Sequence, residues 1–373
     1  MKKILILSNS SSGLYEFRNE LLLNLMSDNK VYVSLPEKDK YFNLLESEGC
    51  NMLHTPFNRR GMNPFKDIVL YFEYCRIIKK ILPDMVFTYT VKPNIYGGMA
   101  CIKCKVPYIT NITGLGTAIQ GEGNLAKLLS LMYKVALKKA KCIFFQNEYN
   151  KNFMQERGIA LYNAKLLPGS GVNLDRHIYY PYPQESDGIK ILSVLRIMKD
   201  KGIEEFLATV EELGGKRIYD IFENVNESVK EDRILFSLAG NFEEETRDIY
   251  EPKLQRLINE GKLKYYGFVD DMDGLYKEHH IILHPSYHEG LSNVCLEAAA
   301  CGRMVIATDV PGCRETVISE KTGILFEAKS SRACTEAVKK AVGLGLAKRE
   351  EMGKAARKHV EENFNRNIVI DRY

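Results

Sequence analysis

The sequence predicts an α/β protein made of two doubly wound domains, each a parallel sheet covered by helices. Three observations carry that expectation. Short apolar runs alternate with amphipathic stretches from end to end, the pattern of buried parallel strands and their crossover helices. The chain has 373 residues, more than one ordinary domain holds. The alternation lapses once, at 173–188, where "NLDRHIYYPYPQESDG" is proline-rich, polar and aperiodic, as a linker should be. The expected division is an amino-terminal domain over 1–172, the linker 173–188 and a carboxy-terminal domain over 189–354. The last segment, from about 355 to 373, is expected to pack back on the first domain.

In the first half, strands are expected at 3–8 ("KILILS"), 30–35 ("KVYVSL"), 84–90 ("DMVFTYT"), 106–112 ("VPYITNI") and 141–146 ("KCIFFQ"). Helices near 14–27, 64–82 and 124–139 fall between them. The opening "MKKILILSNSSSG" has a basic start, but its apolar core from Ile4 to Leu7 is too short for a secretory leader and reads as a buried first strand. In the second half the strands are 189–195 ("IKILSVL"), 234–240 ("ILFSLAG"), 263–268 ("LKYYGF"), 281–285 ("IILHP"), 303–308 ("RMVIAT") and 323–326 ("GILF"). Such sheets bind ligands outside the carboxyl ends of their strands. Two of them joined by one linker are expected to face a cleft, with the chemistry on the strand-end loops.

Apolar residues make up 45% of the chain and charged residues 27%, a globular rather than a disordered balance. No apolar stretch reaches the roughly 18 residues of a membrane span. Residues 1–170 hold 23 Lys and Arg against 13 Asp and Glu, and the remainder holds 29 against 35. The net +4 therefore conceals a basic half at +10 and an acidic half at −6. Such asymmetry points the first half at a polyanion or an anionic membrane surface. No nucleic-acid-binding motif accompanies it, so nucleic acid is not an expected partner. The nine cysteines are scattered, and only Cys101 and Cys104 have CxxC spacing, where a zinc site would want a second pair. They read as thiols of a reducing compartment. His284 and His288 are four apart, but Pro285 lies between them and no third ligand is evident, so no metal site is expected.

Two constellations carry chemistry. Arg196 directly follows the strand "ILSVL", and Lys201 precedes Gly202 and the helix-like "GIEEFLATVEEL". A guanidinium and an ammonium five residues apart at a strand end suit a diphosphate; a solvated basic turn is the plainer alternative. The second constellation is "HEGLSNVCLE" (288–297), just after the strand "IILHP". "SNVCLEAAACG" reads as a helix with Ser292 as N-cap and Gly302 beyond its end. Amides at that start make an anion site, and Gly290 lets backbone approach closely. Glu289 lies just before the start, and Glu297 about five residues in, roughly 7 Å along the axis. A carboxylate on each side of an anion site matches a nucleotide diphosphate sugar, with ribose hydroxyls, diphosphate and sugar hydroxyls in series. An acid/base pair of the glycoside-hydrolysis kind would leave Arg196, Lys201 and the helix start unexplained.

With these residues in view, the chain resembles a retaining glycosyltransferase of family 4, with the GT-B fold of two Rossmann-like domains. Glu289-x7-Glu297 within "EGLSNVCLEAAACGRMVIATDVPGCRE" carries the likeness. It is supported by "SVLRIMKDKGIEEF", "LAG" at 238–240, "YYGFVDDM" at 265–272 and "PGSGVNLDRH" at 168–177, and extends over essentially the whole chain. The resemblance implies that Arg196 and Lys201 neutralise the diphosphate leaving group. It implies that Glu297 binds the ribose hydroxyls and Glu289 those of the transferred sugar. Amides near Leu291 and Ser292 would touch phosphate, Phe268 and Val269 would border the base, and Gly290 and Asn293 would also lie on the donor, with Gly13 permitting close approach to a sugar or phosphate. Transfer would retain configuration by front-face attack, the leaving phosphate helping to deprotonate the acceptor. No metal and no other cofactor is implied; the nucleotide diphosphate sugar is a co-substrate.

The amino-terminal domain should then hold the acceptor on three strand-end loops. "SNSSSGLYEFRNEL" (8–21) offers Ser12 and Arg18, "TYTVKPNIYGG" (88–98) offers Lys92 and Asn94, and "NITGLGTA" (111–118) offers Thr113 and Gly114. Many members of the family carry a histidine after this strand, where this chain has Thr113 or Gly114, so no catalytic histidine is carried over. The last two loops resemble the branch that builds bacterial capsule, exopolysaccharide or O-antigen units on a polyprenyl diphosphate. "YFEYCRIIKKIL" (71–82) and "LLSLMYKVALKKAKC" (128–142), with Arg76, Lys79, Lys80, Lys134, Lys138 and Lys139, suit helices lying on an anionic bilayer; solvated lysines on core helices are the alternative. The expectation is a metal-independent hexosyltransferase, UDP-linked by family habit, acting on a lipid-linked saccharide. Its place would be the cytoplasm, at the inner face of the cell membrane. A sugar-nucleotide epimerase of the same two-domain plan, or a non-catalytic partner subunit that has kept the fold, are the competing readings.

Overall fold

The computed structural model describes residues 1–58, 64–115, 119, 121, 123–184, 188–222 and 233–373. Positions 116–118 of the third expected acceptor loop and 185–187 of the expected linker lie outside the described residues. Contacts divide the chain into two units, Met1–Gly171 with Arg366–Tyr373, and Val172–Asn365.

The first unit runs β1 (Lys2–Leu7), α1 (Ser11–Asp28), β2 (Asn29–Leu35), α2 (Lys40–Ser47), β3 (Asn51–His54), α3 (Pro64–Ile81), β4 (Met85–Tyr89), α4 (Gly98–Cys104), β5 (Tyr108–Ile112), α5 (Asn124–Leu137), β6 (Cys142–Phe145), α6 (Glu148–Glu156) and β7 (Ala164–Leu166). All seven strands are parallel, in the order β3-β2-β1-β4-β5-β6-β7. Both faces of β1 are buried, because side chains alternate along a strand and helices cover each face. Leu5 and Leu7 join Tyr74, Ile78, Tyr133 and Phe145 on one face, while Ile4 and Ile6 join Leu14, Leu22, Val33 and Phe42 on the other. The strand order reverses between β1 and β4, so the loops after them flank the crevice of this sheet.

The second unit runs β8 (Ile189–Val194), α7 (Ile203–Leu213), β9 (Ile234–Ala239), α8 (Arg247–Asn259), β10 (Leu263–Tyr265), α9 (Met272–Glu278), β11 (Ile281–His284), α10 (Asn293–Ala300), β12 (Met304–Thr308), β13 (Gly323–Phe326), α11 (Ser331–Gly343) and α12 (Leu346–Asn363). Its six parallel strands are ordered β10-β9-β8-β11-β12-β13, reversing between β8 and β11. Ile189, Ile191, Phe206, Val210 and Val338 fill one face of the sheet; Leu192, Ile282, Val305, Tyr276 and Ala298 fill the other.

Two expectations about boundaries are corrected. The expected linker belongs to the second unit, because Arg303 Nη2 donates to Pro181 O at 3.0 Å and Tyr182 hydroxyl donates to His280 O. The chain also returns to the first unit at 366, not near 355. Residues Ala356, Val360 and Phe364 on and just after α12 pack with Leu291, Leu296, Ala300 and Val172, and Arg357 Nη1 donates to His177 O at 2.8 Å and Ala300 O at 2.7 Å. The final helix α13 (Arg366–Arg372) then joins the first unit, with Arg366 paired to Glu20. Tyr373 packs against its core, with its ring centroid 4.9 Å from that of Phe144 and its hydroxyl bonded to Tyr89 and Asn111.

Helix α1 starts at Ser11 rather than near 14, since Ser10 caps it by accepting from Gly13 N at 3.0 Å. Strand β10 stops at Tyr265 rather than Phe268, because Gly267 turns the chain at φ +65°.

Candidate functional site

The site is built at the reversal between β8 and β11. After β8 the chain makes a 3-10 turn, Lys199–Lys201, and reaches Gly202 at φ +75°. A Cβ at Gly202 would collide with Pro285 O, so glycine lets this turn pass close against the end of β11. That approach sets Lys201 Nζ 2.5 Å from Glu289 Oε1 and 3.3 Å from Ser286 Oγ. His284, the last residue of β11, faces the same carboxylate oxygen through Nε2 at 3.2 Å. Over Glu289 lies the "PGC" turn, where a Cβ at Gly312 (φ +88°) would strike Glu289 Cβ at 2.7 Å.

These neighbours fix the charge state of Glu289. Burial pushes its carboxyl upward, but His284 and Lys201 outweigh burial and hold it down to about 2. The carboxylate is therefore ionised at neutral pH and can only accept hydrogen bonds. His288 is exposed at the surface, whereas His284 is buried.

Helix α10 begins as expected. Ser292 is its N-cap, accepting from Cys295 N at 3.3 Å. The Ser292 amide, expected to touch phosphate, instead donates to Gly312 O at 2.9 Å, which pins the helix start to the "PGC" turn. Leu291 turns its side chain into the packing under α12, against Leu296 and Ala300. Gly290 and Asn293 flank these two residues at the same helix start. Glu297 follows four residues inside the helix and accepts from the buried Tyr276 hydroxyl at 3.1 Å. Burial, then the Glu297 charge, raises the Tyr276 phenol well above its ordinary range, so it remains a donor. Phe268 is exposed, and Val269 is half-buried against the cluster that contains Tyr276.

Arg196 does not join Lys201. Its Nη1 donates to Glu243 Oε1 at 2.6 Å, and its side chain is half exposed. Any role on a diphosphate therefore requires it to leave Glu243, a small change for an exposed arginine.

In the first unit the expected acceptor residues fall into two groups. Ser12 and Gly13 lie at the start of α1, where Ser10 Oγ is 3.2 Å from Ser12 Oγ, and Gly114 faces open space. Thr113 is half-buried, its carbonyl accepting from Gln146 at 2.8 Å. Lys92, Asn94 and Arg18 are buried and engaged. Lys92 Nζ is 2.7 Å from Asp67 Oδ1, Asn94 Nδ2 donates to Asn111 O at 2.9 Å, and Arg18 sits over the Tyr89 ring at 5.7 Å. Their burial makes them supports of the strand-end loops.

Ser286, Glu243, Tyr276 and Gly312 were not legible as site residues. Each reaches the site by folding alone, apart from Gly312, whose "PG" pair announces a turn. In the sequence, His284 stands out only by its spacing to His288. The structure instead brings it together with Cys295 and Cys313, a ring nitrogen and both Sγ atoms lying within 4.8 Å of one another.

Set beside known proteins, the chain matches two family models, one described as glycosyl transferases group 1 over residues 181–359 and one as glycosyl transferase 4-like over residues 3–147. The chain thus carries a glycosyl transferase 4-like region in its first half and a glycosyl transferases group 1 region in its second. The N,N'-diacetylbacillosaminyl-diphospho-undecaprenol alpha-1,3-N-acetylgalactosaminyltransferase of Campylobacter jejuni is 25% identical over 397 aligned positions, spanning 100% of this chain and 97% of that protein. The capsular polysaccharide biosynthesis glycosyltransferase CapM of Staphylococcus aureus is 25% identical over 90% of this chain and 89% of its own. Among solved structures, Anabaena Alr3699/HepE in complex with UDP and glucose aligns with a TM-score of 0.80 at 15% identity, covering 100% of this chain and 98% of that one. WaaG, a glycosyltransferase involved in lipopolysaccharide biosynthesis, aligns at 0.71 with 15% identity over 99% and 98%. The fold is GT-B.

Proposed function

We propose that this glycosyltransferase works with retention, moving a hexose-type sugar from a UDP-linked donor to a polyprenyl-diphosphate-linked saccharide during surface polysaccharide assembly. The observation that carries the donor half is the Lys201–Glu289 pair beside the start of α10, at the sheet's reversal. Lys201 faces the departing diphosphate, and Arg196 joins it on leaving Glu243. Glu289, held ionised, accepts from hydroxyls of the transferred sugar, and Glu297 accepts from the ribose.

In the proposed step the bond from C1 of the sugar to the phosphate oxygen breaks, and a bond from C1 to the acceptor oxygen forms on the same face. The acceptor proton passes to the departing phosphate oxygen, giving the nucleoside diphosphate. Negative charge grows on that phosphate as the bond breaks, so a fixed ammonium there lowers the barrier more than it tightens substrate binding. The step is assigned no metal. The lipid-linked acceptor is supported by the Campylobacter relative, whose name specifies a diphospho-undecaprenol substrate. UDP follows the habit of the family.

The first unit supplies a surface for such an acceptor. On α3, Phe65, Ile68, Val69 and Phe72 are exposed at helical spacing, and on α5 so are Leu125, Leu128, Leu131 and Val135. Their opposite sides, Leu70, Tyr74 and Ile78 and Leu129, Tyr133 and Leu137, share one core, so both helices cover the same face of the sheet. Exposed basic residues adjoin these apolar stripes, among them Lys79, Lys80, Lys138 and Lys139. That pattern suits shallow insertion into an anionic leaflet, and no described helix is long and apolar enough to cross a membrane.

The test is a donor panel with the purified chain and a polyprenyl-diphosphate saccharide, scoring released nucleotide and the anomeric configuration of the product. Retained configuration from one UDP-sugar is expected. Inversion, or transfer to free saccharide with indifference to the lipid, would sink the corresponding part of the proposal.

A further inference from the structure

We propose that His284, Cys295 and Cys313 form a buried binding site for a thiophilic metal ion, Zn²⁺, behind the catalytic carboxylate. The three donors come from the end of β11, the first turn of α10 and the "PGC" turn after β12. His284 is 3% exposed, and Cys295 and Cys313 are 0% exposed. A ring nitrogen of His284 and both sulfurs lie within 4.8 Å of one another. Zinc bonds of about 2.0–2.3 Å place donor atoms about 3.5–4 Å apart, so closing on an ion requires movement of about 1 Å or less.

A second observation points to a ligand. Nε2 of His284 is occupied by Glu289 at 3.2 Å, while Nδ1 is buried without a hydrogen-bond partner among the described residues. A buried polar nitrogen left unmatched costs free energy. A neutral imidazole donating Nε2–H to a carboxylate presents its other lone pair at Nδ1, the arrangement by which protein carboxylates orient metal-binding histidines. The other close group of this kind lacks that feature, since His177 Nδ1 is already bonded to Asp273 at 2.6 Å.

The donor chemistry selects the ion. Two thiolates and an imidazole with no oxygen donor disfavour magnesium and calcium. Two thiolate charges cancel those of Zn²⁺, whereas Cu⁺ would leave a net negative charge buried beside ionised Glu289. The ion would tie three segments together directly behind Glu289 and steady it through His284, whatever sugar the enzyme transfers.

To test this, the full chain is purified with a thiol-free reductant, stripped by prolonged dialysis against chelator, and titrated with Co²⁺. One equivalent should bind and produce a thiolate-to-cobalt charge-transfer band that Zn²⁺ abolishes, and Zn²⁺ should raise Tm. X-ray absorption on the zinc-loaded wild type, which depends on no variant, should give two sulfurs at about 2.3 Å and one nitrogen at about 2.0 Å. Cys295→Ser and Cys313→Ser should each remove the cobalt band, and Cys334→Ser, at a buried thiol elsewhere, should keep it. A missing band at stoichiometric Co²⁺, or one that survives Cys295→Ser with Cys313→Ser, overturns the site. So does a Cys295–Cys313 disulfide in metal-free protein isolated without reductant. Binding of Cu⁺ with exclusion of Zn²⁺ overturns the charge argument. None of these readouts involves transfer, so the donor-site reading stands or falls separately.

Discussion

Lys201 Nζ and Glu289 Oε1 lie 2.5 Å apart, joining the loop after β8 to the loop after β11 across the reversal of the sheet. Both side chains are largely buried, at 21% and 15% exposure, so the pair is costly to break one-sidedly, because the remaining charge would be left buried and uncompensated. The ammonium is thereby held at a defined place before any donor arrives. That is preorganisation, the property that makes fixed charge effective against developing charge.

Lys201→Ala should lower turnover by roughly two decades if the ammonium meets the departing phosphate. Lys201→Arg should recover only part of the loss, since a planar guanidinium does not reproduce a point charge beside Ser286. Steady-state kcat on a UDP-sugar measures both, with Tm recorded to show that the variants fold. Near-wild-type turnover in a folded Lys201→Ala would remove the diphosphate role.

The Glu289 carboxyl, held down to about 2, predicts an acid limb of stability. A depressed folded pKa favours the folded state above the unfolded value, near 4.5, and that contribution fades as pH falls toward about 2. Wild type minus Glu289→Gln in Tm should therefore shrink steadily as pH falls between about 4.5 and 2. A difference that stays flat over that window would show that His284 and Lys201 do not hold the carboxylate as described.

Much of this was legible in the sequence, and the reasons differ by element. Central strands such as β1, β8 and β12 are continuous apolar runs because both their faces are covered, so they announce themselves. Edge strands β3 and β7 have only four and three residues and carry too little pattern to stand out. Glu289, Glu297 and the Ser292 cap were readable because all belong to one local strand–turn–helix unit. What stayed hidden was long-range. Nothing in the sequence near Arg196 says that Glu243 will take it, and nothing near His284 says that Cys295 and Cys313 will close around it. The membership of α12 was hidden for the same reason: helical periodicity shows which face is apolar, not which unit buries it.

Tyr276→Phe should loosen nucleotide binding without abolishing transfer. Its hydroxyl donates to Glu297 Oε2 at 3.1 Å, fixing the carboxylate assigned to the ribose. Removing that donor costs about 1–3 kcal/mol of orientation and partner satisfaction, so Kd for UDP should rise by about 5- to 150-fold. Calorimetry with UDP measures it, and kcat at saturating donor should change little. An unchanged Kd would detach Glu297 from the nucleotide.

Brief exposure to excess chelator in the assay should leave the initial rate intact, because the proposed step uses Lys201 and Arg196 where other transferases use a hard divalent ion. Added Mg²⁺ or Mn²⁺ should help modestly at most, by screening phosphate charge. Immediate and complete loss, restored by Mg²⁺ or Mn²⁺, would refute metal-independent transfer. Slow loss restored only by Zn²⁺ would instead report the buried thiol site.

Anionic vesicles should bind the chain through α3 and α5. The motivation is geometric as well as compositional: Phe65, Val69 and Phe72 are 82%, 67% and 63% exposed, and they share one sheet face with the exposed leucines of α5. Water does not favour such a stripe, whereas the boundary of acyl chains and headgroups does. The basic residues beside it add about 1 kcal/mol each near an anionic surface, so several together give reversible attachment. That electrostatic share is screened beyond about 8 Å at physiological ionic strength, so binding should weaken with salt but retain an apolar remainder. Replacing Lys79, Lys80, Lys138 and Lys139 with glutamate should lower sedimentation with anionic vesicles at least tenfold. Phe72→Asp with Val69→Asp should remove the salt-resistant part. Both sets should leave donor hydrolysis unchanged, since none of them is a residue assigned to the donor and Lys201, Glu289 and Glu297 lie in the second unit. Transfer to a lipid-linked acceptor in vesicles should fall in step with binding, while transfer to the same acceptor in detergent should not. Indifference of the wild type to anionic vesicles at low salt would mean that this surface serves something other than a bilayer.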